Sequence, residues 1–165
     1  MKKLGKALVC AVVIALTAIA LTACAGKPSG KFVFSEFTMT NASGASFTAK
    51  KGDDFTAALE KSSLTDTEKL GAAIVVGLFS AVTMEFSGNN LTMKFDSLLG
   101  ESKPEDKTIE FKMDGNKIIG LAKDGEEDDI EIGGSDGEFV FKGGKIIMSS
   151  EKDGVSVKVV FVKGK

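Results

Sequence analysis

The sequence predicts a mainly β domain of α+β type: an antiparallel meander, closed as a barrel or folded as a sandwich, with one or two helices inserted after the first strands. Three observations predict it. Short runs between residues 82 and 162 alternate apolar and polar side chains with the period of two that turns one face of a strand to a core. Glycine- and asparagine-rich pairs separate these runs at close intervals, as hairpin turns do. Between residues 53 and 80 the alternation gives way to helical spacing.

The first strand is expected over residues 31–40. Phe32 and Phe34 share one face, whereas Phe37 and Met39 have the other parity. A mid-strand bulge or strong twist would bring all four to one side. Asn41 to Ala45 reads as a turn, and residues 46–50 as a short return strand. Asp53 and Asp54 suit a helix N-terminus, followed by Phe55, Ala58 and Leu59 at helical spacing. A second helix begins at Thr65-Asp66-Thr67-Glu68, which fits a capping box in which the Thr hydroxyl and Glu carboxylate satisfy otherwise unpaired amides. Its continuation, residues 70–79, is apolar nearly all round and predicts burial on most sides. The uncharged stretch 70–83 is shorter than the roughly 20 residues of a membrane span. It reads as a helix lying over or plugging the sheet in preference to one lying in a membrane interface.

The rest is a meander. Val82, Met84 and Phe86 alternate, Ser87-Gly88-Asn89-Asn90 turns, and Leu91, Met93 and Phe95 alternate back. Ile109, Phe111 and Met113 lead to Asp114-Gly115-Asn116, a strong hairpin signal. Further strands are expected at 117–123, 129–132, 138–141 and 145–149. The last, 155–162, sets Val155, Val157, Val159 and Phe161 on one face.

Ahead of this domain the chain opens on Lys2, Lys3 and Lys6, and from Ala7 to Ala23 it carries no charge. A basic head, an apolar core and small residues at the exit form a secretory signal over residues 1–23. Its end, Leu21-Thr22-Ala23-Cys24, resembles the lipobox of bacterial lipoproteins. That resemblance implies a diacylglycerol thioether on Cys24, cleavage before it, and often a further acyl chain such as palmitate on the freed amine. Two acyl chains hold a protein stably at a bilayer where one does not. The expected location is therefore the cell membrane or outer membrane, with the domain facing outside the cytoplasm. Residues 24–30 are small and polar and read as a tether, leaving 31–165 as a single domain.

Composition narrows the function classes. Without the three lysines of the signal, 18 basic residues of the 21 remain against 23 acidic ones. An acidic balance gives no electrostatic footprint for nucleic acid and argues against a polybasic membrane patch. Cys10 leaves with the signal and Cys24 carries lipid, so the domain has neither a free thiol nor a disulfide. The chain has no His, Tyr or Trp, and its 12 aromatic residues are all Phe.

Gly30-Lys31-Phe32-Val33-Phe34, the turns Asp114-Gly115-Asn116-Lys117 and Gly143-Gly144-Lys145, and the closing Val157-Lys158-Val159-Val160-Phe161 together resemble lipocalin-like bacterial lipoproteins. Those are small meander barrels behind a lipobox, mostly without assigned activity. The helical segment 53–80 is additional to the simplest members, and Phe32 stands where lipocalins usually carry Trp.

Catalytic chemistry has little to work with. Nucleophilic triads need a base near neutral pKa, most often His, and there is none. The serines fall mostly in turns, no Ser-x-x-Lys element opens a helix, and an enzyme is not expected. Transition-metal sites lean on His and Cys. Residues 124–131 are dense in carboxylates but lack the spacing of a calcium-binding EF-hand loop. They read as a solvated hairpin loop whose charge deters edge-to-edge pairing. No glycine-rich phosphate loop is present, and no cofactor is expected. The remaining candidate site is apolar. Phe32, Phe34, Phe86, Phe95, Phe111, Phe139 and Phe141 either line a cavity for one small apolar ligand or fill the interior outright. Two functions follow: a non-enzymatic binding module for such a ligand, or a structural or partner-binding envelope lipoprotein with a filled core.

Overall fold

The computed structural model describes residues 26–96, 105–121 and 137–165. The signal, Cys24, the acidic run 124–131 and the strand expected at 129–132 lie outside the described residues. The elements are β1 (Gly30–Thr40), β2 (Ser46–Lys50), α1 (Phe55–Glu60), α2 (Asp66–Ser80), β3 (Val82–Ser87), β4 (Asn90–Phe95), β5 (Lys107–Asp114), β6 (Lys117–Leu121), β7 (Gly137–Lys142), β8 (Lys145–Lys152) and β9 (Val155–Lys163).

Every pairing is antiparallel between neighbours from β3 to β9, and β1 joins β3 to β9. The result is a closed barrel of eight strands, with β2 as a ninth strand on the flank. Of the two architectures compatible with the sequence, the barrel is the one formed. Closure depends on β1 using both edges. Gly30 to Val33 pair with β3, residues 36–40 pair with β2, and the opposite edge pairs with β9 over almost its whole length.

The parity change in β1 is resolved by a bulge between Phe34 and Glu36. The extra residue, Ser35, is where β1 changes partner from β3 to β2, and its carbonyl accepts the Lys51 amide at 2.8 Å. One inserted residue thus turns Phe32, Phe34, Phe37 and Met39 all inward, and each is buried.

The barrel has two distinct ends. At one, β3–β4, β5–β6 and β7–β8 close through the two-residue turns Gly88-Asn89, Gly115-Asn116 and Gly143-Gly144. Gly143 and Gly144 have φ of +59° and +72°, the left-handed pair that matches strand twist and that side chains resist. Gly30 enters the barrel at this hairpin end, and packing already begins before it: Pro28 is fully buried. At the other end lie the β1–β2 turn, both helices and the β8–β9 turn.

The interior is built largely of phenylalanine. Near the hairpin end Phe111, Phe86, Phe32 and Phe141 meet edge to face in sequence, at centroid distances of 5.3, 5.5 and 6.1 Å. Near the helix end Phe55, Phe34, Phe161 and Phe79 do the same at 6.3, 6.4 and 6.0 Å. Edge-to-face rings gain quadrupole attraction beyond the roughly 1.5–3 kcal/mol that burying one such side chain supplies. Phe55 and Phe79 come from the helices, so α1 and α2 share one core with the barrel.

Candidate functional site

Two caps set the helices in place. The Asp54 carboxylate accepts the Ala57 amide at the start of α1. At the start of α2 the expected capping box is complete: Glu68 accepts the Thr65 amide at 2.8 Å, and the Thr65 hydroxyl accepts the Glu68 amide at 3.4 Å. The bond from the Thr65 amide, followed by the Thr65 side chain and Asn41, holds the Glu68 carboxyl below its usual range.

Asn41 then ties this cap to the barrel. Its Oδ1 accepts the Ser43 amide at 3.1 Å, the Ser43 hydroxyl at 2.7 Å and the Ala45 amide at 2.9 Å. Its Nδ2 donates to both Glu68 oxygens at 3.1 and 3.2 Å. Asn41 is the buried polar side chain among the described residues, and its position at the end of β1 fixes α2 over the barrel.

α2 meets the barrel through one side only. Ala72 and Val76 are buried, and Val75 and Phe79 pack partly against the core. The opposite side is apolar yet open to solvent: Leu70 is 64%, Ile74 54% and Leu78 49% exposed. This corrects the expectation of burial on most sides. An all-apolar run reports that a helix tolerates burial, but burial needs a second layer, and among the described residues only the barrel face supplies one.

Between α2 and the strands lies an apolar cleft of about 400 Å³. Val75 and Phe79 form the helix wall; Met148, Ser149 and Ser150 of β8 and Val157 and Val159 of β9 form the strand wall. The register explains the grouping. Met148 pairs with Val159 and Ser150 with Val157, which sets these four side by side on the inner face. Ser149 and Ser150 add two hydroxyl-bearing residues to walls otherwise made of hydrocarbon and thioether. Among the described residues no titratable side chain lines the cleft, so the chemistry these walls offer is exclusion of water around an apolar body. A polar depression on the outer side of β7, β8 and β9 borders it, lined by Glu138, Glu151, Ser156 and Lys158 with the shared Ser149, Ser150 and Val157.

The phenylalanines singled out from the sequence take a different place. Phe32, Phe34, Phe86, Phe111 and Phe139 are at most 3% exposed, and Phe95 and Phe141 are half-buried. None of the seven lines the 400 Å³ cleft. Phe34 borders a smaller depression of about 260 Å³ whose other walls include Lys31, Lys51 and Asp96. Val75, Phe79, Met148 and Ser150 carried no sequence signal that set them apart from core residues. Val157 and Val159 stood on the expected inner face of the last strand, and only their facing a helix makes them a wall.

Among the described residues no helix is long and apolar enough to cross a membrane. No group of three or more potential metal-ligating side chains occurs among them either. Comparison of the chain with known protein families and with curated proteins found no match.

Proposed function

We propose that the chain is a lipid-anchored, extracytoplasmic lipocalin-like lipoprotein that binds a small apolar molecule non-enzymatically in the cleft between α2 and β8–β9. The cleft carries this reading. Its volume lies at the lower end of the range for small-molecule sites, and its walls are mostly apolar with two serines, the composition such sites share. The anchor rests on Leu21-Thr22-Ala23-Cys24 behind an uncharged apolar run. A chain without histidine, whose cleft has no titratable group among the described residues, favours binding over catalysis.

Two experiments test the parts separately. A neutral phenylnaphthylamine dye should fluoresce on binding the protein. Val157→Phe combined with Met148→Phe, which fills the cleft with apolar volume, should abolish the signal while the melting temperature is retained. Dye binding unchanged by the filled cleft contradicts the site. For the anchor, Cys24→Ala should move the protein from the membrane to the soluble fraction; a mature-size variant still fractionating with membranes contradicts it.

A second reading is favoured by the Leu70, Ile74 and Leu78 stripe: an envelope lipoprotein that binds a protein partner through α2. Ile74→Glu would then abolish partner capture and leave dye binding intact.

A further inference from the structure

We propose that the hairpin end of the barrel is a membrane-facing surface, a lysine collar that docks on anionic phospholipid headgroups. The proposal goes beyond the ligand cleft and rests, for its tether, on the lipid at Cys24.

The register places the lysines. Lys117 closes the β5–β6 turn opposite Asp114, and Lys142 and Lys145 face each other across the β7–β8 turn. Lys31 lies next to Gly30 at the start of β1, and Lys163 pairs with Phe32 at the end of β9. Lys165 follows beside them, since the Gly164 amide bonds the Lys31 carbonyl at 2.8 Å. All six are exposed; acidic side chains at this end are Asp114 in the β5–β6 turn, Glu110 opposite Asn90, and Glu85, which lies opposite Lys31 and is ion-paired with Lys94. Lys117 has a surface partner in Glu138 at 3.1 Å. Among the described residues Lys142 and Lys145 have no carboxylate partner. Like charges directly opposite in a hairpin destabilise it. Two facing lysines with no carboxylate beside them among the described residues suit an anionic surface.

The tether points the same way. Pro28 is buried at the hairpin end, and Lys27 is fastened there: its Nζ donates to Asn89 Oδ1 and lies 5.8 Å from the centre of the Phe111 ring. Two residues separate Cys24 from Lys27, and the three Cα-to-Cα steps between them span at most about 11 Å. A lipid on Cys24 therefore holds this end of the barrel within one short reach of the headgroups. The helices and the cleft then face away from the bilayer. Each lysine near an anionic surface strengthens partition by about fivefold, and salt screens the effect.

The test uses the full chain, expressed and processed, and reconstituted in vesicles of phosphatidylcholine with or without phosphatidylglycerol. Fluorophores are placed at Asn116→Cys, on the hairpin end, or at Thr67→Cys, on α2, with a quencher attached to the headgroups. Quenching at Asn116 should exceed that at Thr67 at least twofold in phosphatidylglycerol vesicles and fall with added salt. Lys142→Glu with Lys145→Glu should remove the difference. Equal quenching at the two positions, or a difference indifferent to phosphatidylglycerol, salt and the two lysines, overturns the collar. The intact mass reports the anchor independently. A chain without lipid mass whose co-sedimentation with phosphatidylglycerol vesicles drops about 25-fold or more on reversing Lys142 and Lys145 sustains the collar and overturns the lipid reading alone. Without that drop the collar fails as well.

Discussion

Asn41 is one side chain on which the placement of α2 depends, and Asn41→Ala isolates it. The substitution removes three bonds accepted by Oδ1 and the forked donation to the Glu68 carboxylate. A neutral hydrogen bond contributes about 0.5–1.5 kcal/mol net and one to a charged group about 1.5–3. Ser43 is exposed, so water recovers part of what its two bonds lose. The Ala45 amide and the Glu68 contact remain as the main terms, which together give a loss of about 3 kcal/mol. For a domain of this size that corresponds to roughly 10 °C in melting temperature, read by circular dichroism at neutral pH. Asn41→Asp divides the network further: it keeps the acceptor but sets a carboxylate against Glu68. It should be destabilised too, and largely rescued by Glu68→Gln, whose amide can donate. Asn41→Ala melting within about 3 °C of wild type would refute the role given to this residue.

Three more perturbations separate parts of the fold. The Glu68 carboxyl is held below its usual range, so its charged form contributes stability that is present above the unfolded value and lost as pH falls through the lowered folded one; the gap in melting temperature between wild type and Glu68→Gln should close in acid, and a gap constant down to pH about 2 would count against the cap. Gly154 has φ +75°, and a Cβ there would lie 2.9 Å from Ala42 Cβ, whereas Gly144 at +72° has open space; Gly144→Ala should cost about 1–2 kcal/mol from backbone conformation and Gly154→Ala measurably more, so equal losses in denaturant titration would show that the β8–β9 turn does not touch the β1–β2 turn. Ile74→Lys on the open face of α2 should shift stability by no more than about 0.5 kcal/mol; a loss of several would mean that this face is covered.

Much of the barrel was legible because its signals are local. Alternation with short turns pointed to the meander, and the conflict of parity between Phe34 and Phe37 called for a mid-strand bulge or a strong twist, of which the structure has the bulge, at Ser35. The capping box at Thr65 was readable because it needs only four neighbouring residues. What stayed hidden depends on residues distant in sequence. Whether Phe86 and Phe111 line a void or stack is decided by strand spacing and rotamer, and here they meet at 5.3 Å. The open stripe of α2 is invisible because its buried side, Ala72 and Val76, has the same apolar character. An acidic balance likewise argued against a basic patch, since a sum of charges carries no position. The pairing of Lys142 with Lys145 and of Lys163 with Phe32 gathers lysines at one end.

The central claim, a small apolar ligand held between α2 and β8–β9, is tested most directly by native mass spectrometry of the intact protein purified from cells that make it. The account predicts one non-covalent adduct of small-molecule mass on the wild-type chain, absent from the folded Val157→Phe, Met148→Phe variant. An adduct-free wild-type protein that also fails to take up the apolar dye, or an adduct equally present when the cleft is filled, would contradict it.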